Sequence, residues 1–228
     1  VKKLLVITLL SIAWPSFGQH ELGIRGAGGI SYFTTRFTAP LNFEQEFFIE
    51  PVIQGGLFYS YHFKNNLRLG TEILWMNLEG REKMIVVNTD VNGNPNGLFT
   101  TVNTYRELSA IGIPLYIGYT HKKWSFNIGG ELMVPLHSSS SENTYGVDQN
   151  NQAFEWNHDG GELNLDPINF GFYTGIYYDL NNLFALEAKY TSTMNNLLNS
   201  EQLSPSWKWE VLMLTVGLRF RILSPPVE

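Results

Sequence analysis

Eight stretches of this chain alternate with a period of two residues, and in each of them one phase stays free of charged side chains over a span of about nine residues or more, from Ile111 in the fourth and from Leu212 in the last. Successive side chains on an extended backbone point to opposite sides, so such alternation marks a strand whose two faces meet different surroundings. The runs lie at Glu21–Phe33, Pro51–Phe63, Leu67–Leu78, Tyr105–Tyr119, Trp124–Pro135, Pro167–Leu180, Leu183–Ser192 and Lys208–Leu223. Each is long enough to cross a bilayer at a tilt, which takes ~9–11 residues. The clean phases read, for example, Ile53, Gly55, Leu57, Tyr59, Tyr61 in the second run and Leu212, Leu214, Val216, Leu218, Phe220, Ile222 in the last. A lipid-facing charge costs ~2–4 kcal/mol at mid-bilayer, so eight charge-free faces are what a membrane barrel needs.

A soluble barrel also has one apolar face per strand. The opposite phase decides between them, because it makes a poor solvent surface and a good packed interior. It holds Phe58, Leu74, Met76, Tyr116, Tyr173, Tyr177 and Met213 among the charges Arg25, Arg68, Glu72, Glu131, Glu187, Lys189, Arg219 and Arg221. These eight charges are read as an ion-pair network filling the lumen, since an eight-stranded barrel is only wide enough for side chains to fill it. Charged residues make up 16% and aromatics 14% of the chain, too few of the first to cover an ordinary water-facing surface. Large aromatics gather toward the ends of the clean faces at Tyr32, Phe63, Trp75, Tyr119, Trp124, Tyr190 and Phe220, the places of an interfacial girdle.

The connections alternate between short and long. Those at 62–66, 120–123 and 179–182 are tight and rich in Asn and Lys; those at 34–50, 79–104, 136–166 and 193–207 are long. Short periplasmic turns and long external loops are the pattern of outer-membrane barrels, and an even strand number closes the sheet with both ends in the periplasm. In the second long connection, Asn92-Gly93-Asn94-Pro95-Asn96-Gly97 is strong turn chemistry, and it predicts a hairpin rising from flanks at Met84–Val87 and Leu98–Val102. Residues 1–18 read as a signal peptide: Lys2 and Lys3, an apolar run from Leu4 to Trp14, and small residues Ser16 and Gly18 before a cut, which leaves 19–228 as the barrel. The absence of cysteine excludes disulfides, cysteine zinc sites, a thiol nucleophile and a lipidated cysteine. A net charge of −6 without a basic run excludes a nucleic-acid partner.

The leader, the glycine-rich Gly23–Ile30, the acidic third run Leu69–Leu74, the segment Ile111–Leu115 and the closing Val216–Phe220 together resemble the Bacteroidetes outer-membrane β-barrel family called PorT-like. The likeness spans nearly all of the mature chain and implies a porin-like barrel fold and an outer-membrane location; the family has no shared catalytic residues to carry over.

Two groups of residues suggest more than a wall. His137, Ser138, Ser139 and Glu142 hold the residue types of a serine hydrolase, and they faintly resemble the arrangement in outer-membrane lipid A deacylases. Such an enzyme, built on His137, Ser139 and Glu142, is the alternative reading. Glu142, Asp148, Glu155, Asp159, Glu162 and Asp166 with His158 are suited to a hard cation, but their spacing matches no EF-hand, and a solvated acidic loop is the reading taken. The expectation is therefore an all-β, eight-stranded antiparallel up-and-down transmembrane barrel. It acts without catalysis, cofactor or metal, in contact with outer-membrane lipid, as a structural or interaction subunit toward outer-membrane or periplasmic proteins. A narrow pore is the third reading.

Overall fold

The computed structural model describes residues 20–37, 43–89, 95–147, 152–163, 165–194, 197 and 207–223. The expected leader, its cut before Gln19 and the hairpin tip Asn92–Asn94 lie outside them. Nine strands follow one another in the described chain: β1 His20–Phe37, β2 Phe43–His62, β3 Leu67–Thr89, β4 Pro95–His121, β5 Trp124–Val147, β6 Ala153–Gly161, β7 Asn169–Asp179, β8 Phe184–Thr193 and β9 Trp207–Leu223. Every pairing is antiparallel. The order runs β4-β3-β2-β1-β9-β8-β7-β5-β6, and β4 also pairs with β5. Eight strands therefore close into a ring, with the first and last joined from Leu22↔Leu223 to Phe37↔Trp207.

Closure leaves the ring with no free backbone edge, the condition for a sheet that meets lipid. The clean faces point outward, where Ile53, Leu57, Ile73, Leu115, Ile128, Phe170 and Val216 are exposed. The three tight turns share one end of the ring with His20 and Leu223, and local chemistry closes each of them. Phe63 N donates to Leu67 O at 2.8 Å across the first. Lys122 in the second takes a left-handed φ of 55°. In the third the Asn181 side chain accepts from the backbone N of Leu183 and of Phe184, both at 2.8 Å, an Asx turn.

At the other end the strands run past the alternating stretches. β3 and β4 stay paired through Met84↔Val102 and Val87↔Phe99, so the expected hairpin rises above the ring. β5 continues from the expected end at Pro135 to Val147, and β6 pairs with it from Ser140↔Gly161 to Val147↔Ala153. The connections expected at 34–50, 79–104 and 136–166 are thus largely strand, and β6 is a ninth strand that the alternation does not show. The reason is physical: outside the bilayer both faces of a strand meet water, so nothing enforces an apolar phase. A bulge at Leu136 also hides the continuation of β5. Pro135 pairs with Ala110 and His137 with Ser109, so beyond this point the odd positions face outward where the even ones did before.

Candidate functional site

The interior is built by parity. In β1 the odd positions from Glu21 to Thr35 point inward and all but Gly29 are buried; in β3 the even positions from Arg68 to Glu82 are buried. These faces carry both charges and bulk, and glycines on the same faces make the room. A Cβ at Gly70 would stand 2.6 Å from Tyr116 Cε2, and one at Gly118 would stand 2.8 Å from Arg68 Cγ. Each of these inward glycines therefore leaves its space to a larger neighbour.

Glu72 is the centre of the middle tier. Its Oε2 accepts from Arg25 Nη1 at 2.8 Å, Arg219 Nη2 lies 3.3 Å from its Oε1, and Lys189 Nζ is 3.8 Å away. Arg25 also pairs with Glu187, and Lys189 reaches Glu131 Oε2 at 3.5 Å. Aromatic rings hold the cations from the turn side. The Arg219 guanidinium lies 3.7 Å from the centre of the Phe58 ring and 4.5 Å from that of Tyr177. Lys189 Nζ is 4.6 Å from the Tyr173 ring, whose hydroxyl is bonded to that of Tyr177. Contacts of this kind strengthen when water is excluded, as it is here.

A second tier closes the turn end around Glu21. Its carboxylate accepts from Arg221 Nε at 2.6 Å and from Ser60 Oγ at 2.6 Å, and it meets His62 Nε2 at 2.9 Å and Arg68 Nη1 at 3.7 Å. Arg221 also pairs with Asp179 at the third turn. Arg68 bridges the tiers: its Nε donates to Asn127 Oδ1 at 2.9 Å, and its guanidinium lies 4.7 Å from the Tyr177 ring. The eight charges singled out in the sequence are all buried, but they divide into these two tiers rather than one network. Glu21, His62 and Asp179 were missed. Glu21 shares its phase with Arg25 and could have been found by parity; His62 and Asp179 sit beside turns, where no phase can be read. With Asp179 included, the interior balances Arg25, Arg68, Lys189, Arg219 and Arg221 against Glu21, Glu72, Glu131, Glu187 and Asp179.

Above the charges an apolar cluster dominates the lumen, with Gln54, Ser31 and Asn169 buried among it. Phe33, Val52, Leu74, Met76, Leu78, Leu108, Ala110, Met133, Val211 and Met213 form one cluster with Leu197 from the connection after β8, and Leu163 and Leu165 pack against it. Asp166 N donates to Leu197 O at 2.9 Å, which ties two connections together over the mouth. Higher still, Glu82 accepts from Arg106 Nη1 at 2.7 Å and from Thr35 Oγ1 at 2.8 Å. Charge, aromatic and apolar layers thus follow one another along the described interior, as expected of an eight-stranded ring filled by side chains.

On the outer face Phe63, Tyr119 and Trp124 stand beside the turns. Trp124 packs on Tyr178 at 4.7 Å and Phe220 on Phe184 at 5.3 Å, so these aromatics crowd one level. Tyr32, Trp75 and Tyr190 lie farther along β1, β3 and β8 toward the loop end. The hydrolase residues do not come together. After the bulge His137 and Ser139 share the outward face of β5 while Glu142 takes the other, where its Oε1 accepts from Thr144 Oγ1 at 3.0 Å. Ser138 is buried and donates to Leu163 O at 3.1 Å. His137 instead lines a cavity of about 370 Å³ with Leu136, Glu162, Asp166 and Pro167. The acidic residues of this region are spread along β5, β6 and the segment after it, and among the described residues no group of three His, Asp or Glu side chains could hold a metal.

No curated protein sequence matches this chain significantly. Solved structures similar to it include the Neisserial surface protein A, at 13% identity over 88% of this chain and 97% of that one, with a TM-score of 0.40. The attachment invasion locus protein Ail of Yersinia pestis shares 12% identity over 90% and 99% of the two chains, with a TM-score of 0.35. The outer membrane protease OmpT of Escherichia coli shares 10% over 89% and 97%, with a TM-score of 0.40. The model of one family, described as the outer membrane protein beta-barrel domain, matches residues 16–199. The chain belongs to that family, and it is an antiparallel β-barrel of the outer membrane.

Proposed function

We propose that this barrel is a non-catalytic structural or interaction subunit, which uses the membrane-spanning ring as an anchor and the strands above it as a contact surface. One observation carries the reading: the described interior of the ring is packed from the turn end upward by paired charges, aromatic rings and an apolar cluster that includes Leu197. A filled interior serves neither as a solute path nor as a substrate cleft, whereas β3, β4, β5 and β6 extend well beyond the ring. The partners that fit are outer-membrane lipid around the ring and proteins that meet the strands above it or the turns below. The PorT-like resemblance is in keeping with this role.

The lipid-modifying alternative is tested at His137. The proposal expects His137→Ala to leave the lipid A mass spectrum of the host unchanged at equal barrel levels. A spectrum that differs between wild type and this variant overturns it. A serine hydrolase needs its base within hydrogen-bond reach of the hydroxyl and an acid to orient that base, and the opposite facing of His137 and Glu142 supplies no such line.

A further inference from the structure

We infer that the outer edge of β6 is a docking site for an extended basic segment of another protein, which adds to the sheet as its next strand. The inference rests on the interaction reading above and names the place and the chemistry of the contact.

Among the described residues β6 pairs with β5 alone, at the end of the strand order, while every strand of the ring is paired on both sides. All nine of its residues are exposed. Every second N–H and C=O along such an edge points away from its one neighbour and is a template for another strand. Proteins usually blunt an edge of this kind with lysine, proline or a covering loop. Ala153–Gly161 contains neither lysine nor proline.

Charge then selects the occupant. From His137 to Asp166 the chain carries Glu142, Asp148, Glu155, Asp159, Glu162 and Asp166 and no Lys or Arg. A second copy of the same edge would bring like charges face to face, which disfavours it. A basic strand is complementary.

The alternation of β6 specifies the pattern further. Tyr145 pairs with Glu155 and Asn143 with Asn157, so Glu155, Asn157 and Asp159 share one face. Phe154, Trp156 and His158 take the other, where the Trp156 and His158 rings stack at 5.1 Å and 14°. Trp156 is 57% exposed, the kind of aromatic anchor that interfaces favour. An added strand places alternate side chains on the two faces of the sheet, with main-chain bonds giving affinity and the side chains specificity. The fitting segment therefore alternates Lys or Arg, beside Glu155 and Asp159, with apolar residues beside Phe154 and Trp156.

The test uses the full barrel refolded in detergent and a labelled peptide alternating lysine and valine over the length of β6, with binding read by fluorescence anisotropy. The expectation is saturable binding that weakens roughly tenfold or more when Glu155→Lys and Asp159→Lys are combined, in a variant that keeps its heat-modifiable gel shift. Two N-methylated peptides, each blocking one edge of the probe strand, must differ: one loses binding and the other retains it. Equal binding of the two overturns the proposal, as does equal binding of a peptide with the same lysines and valines in blocks, since either result means charge attraction without strand addition. Dimers of the barrel cross-linked through β6 in the absence of peptide also overturn it, in favour of a second copy. None of these outcomes bears on lipid A, so failure of the edge and failure of the non-catalytic reading remain distinguishable.

Discussion

Glu72 and Ile73 are chain neighbours with opposite fates. The first is enclosed among Arg25, Arg219 and Lys189; the second is 57% exposed on the outer face. Replacing one partner of a buried ion pair costs ~3–5 kcal/mol because the remaining charges are left uncompensated. Glu72→Leu is therefore expected to lower stability by about that much, while Ile73→Ala, which trims a side chain that lipid tails can replace, costs less. Unfolding by urea, followed through gel mobility in detergent or liposomes, separates the two; a neutral Glu72→Leu or a more damaging Ile73→Ala contradicts the pairing. Gly70 offers a steric counterpart. Any Cβ there meets the Tyr116 ring, so Gly70→Val is expected to cost ~1–3 kcal/mol, the usual price of overpacking. In a double-mutant cycle with Tyr116→Ala the combined loss should fall short of the sum, and full additivity would refute the contact. The alternation made the inward direction of Arg25, Glu72 and Arg219 legible, but not their division from the Glu21 tier. That division depends on how strand tilt staggers the levels of neighbouring strands, and on His62 and Asp179 beside the turns.

At the scale of elements, the tight turns are where backbone conformation alone can be tested. Lys122 has a left-handed φ of 55° and no special aptitude for it, since an L side chain there costs roughly 1 kcal/mol. Lys122→Gly is expected to raise stability by up to about that amount, with Lys123→Gly as a control that relieves no such strain; the comparison is read as a shift in the urea midpoint. Asn66 has a φ of 64° but is a residue that tolerates it, so Asn66→Gly should gain less. The turn residues were visible in the sequence because Asn and Lys cluster there between alternating runs. The upper strands were only partly visible. The β3–β4 hairpin showed through its Asn-Gly turn chemistry, whereas β6 reads Ala-Phe-Glu-Trp-Asn-His-Asp-Gly-Gly, where only Phe154 and Trp156 alternate before His158 and the closing glycines, too short a pattern to mark a strand, and it is held by its register with β5. The bulge at Leu136 exchanged the faces of β5 between Pro135 and His137, while His137 and Ser139 are divided from Glu142 simply by their odd and even positions on the strand that follows it.

For the whole molecule, the strand number, the closure and the membrane location followed from one property, a charge-free phase repeated eight times, because lipid penalises charge on every outward position of every strand. The interior followed less completely, since a packed lumen and a wet one use the same inward positions and differ only in how the side chains meet. Glu21, Glu72 and their cations, the Phe58, Tyr116, Tyr173 and Tyr177 rings, and the apolar cluster with Leu197 together pack the described interior. The most direct measurement is the ionic conductance of the purified, refolded barrel in a planar lipid bilayer. A packed lumen predicts a flat current at the bilayer baseline under applied voltage after insertion verified by gel shift; reproducible stepwise openings from the wild-type protein would contradict it.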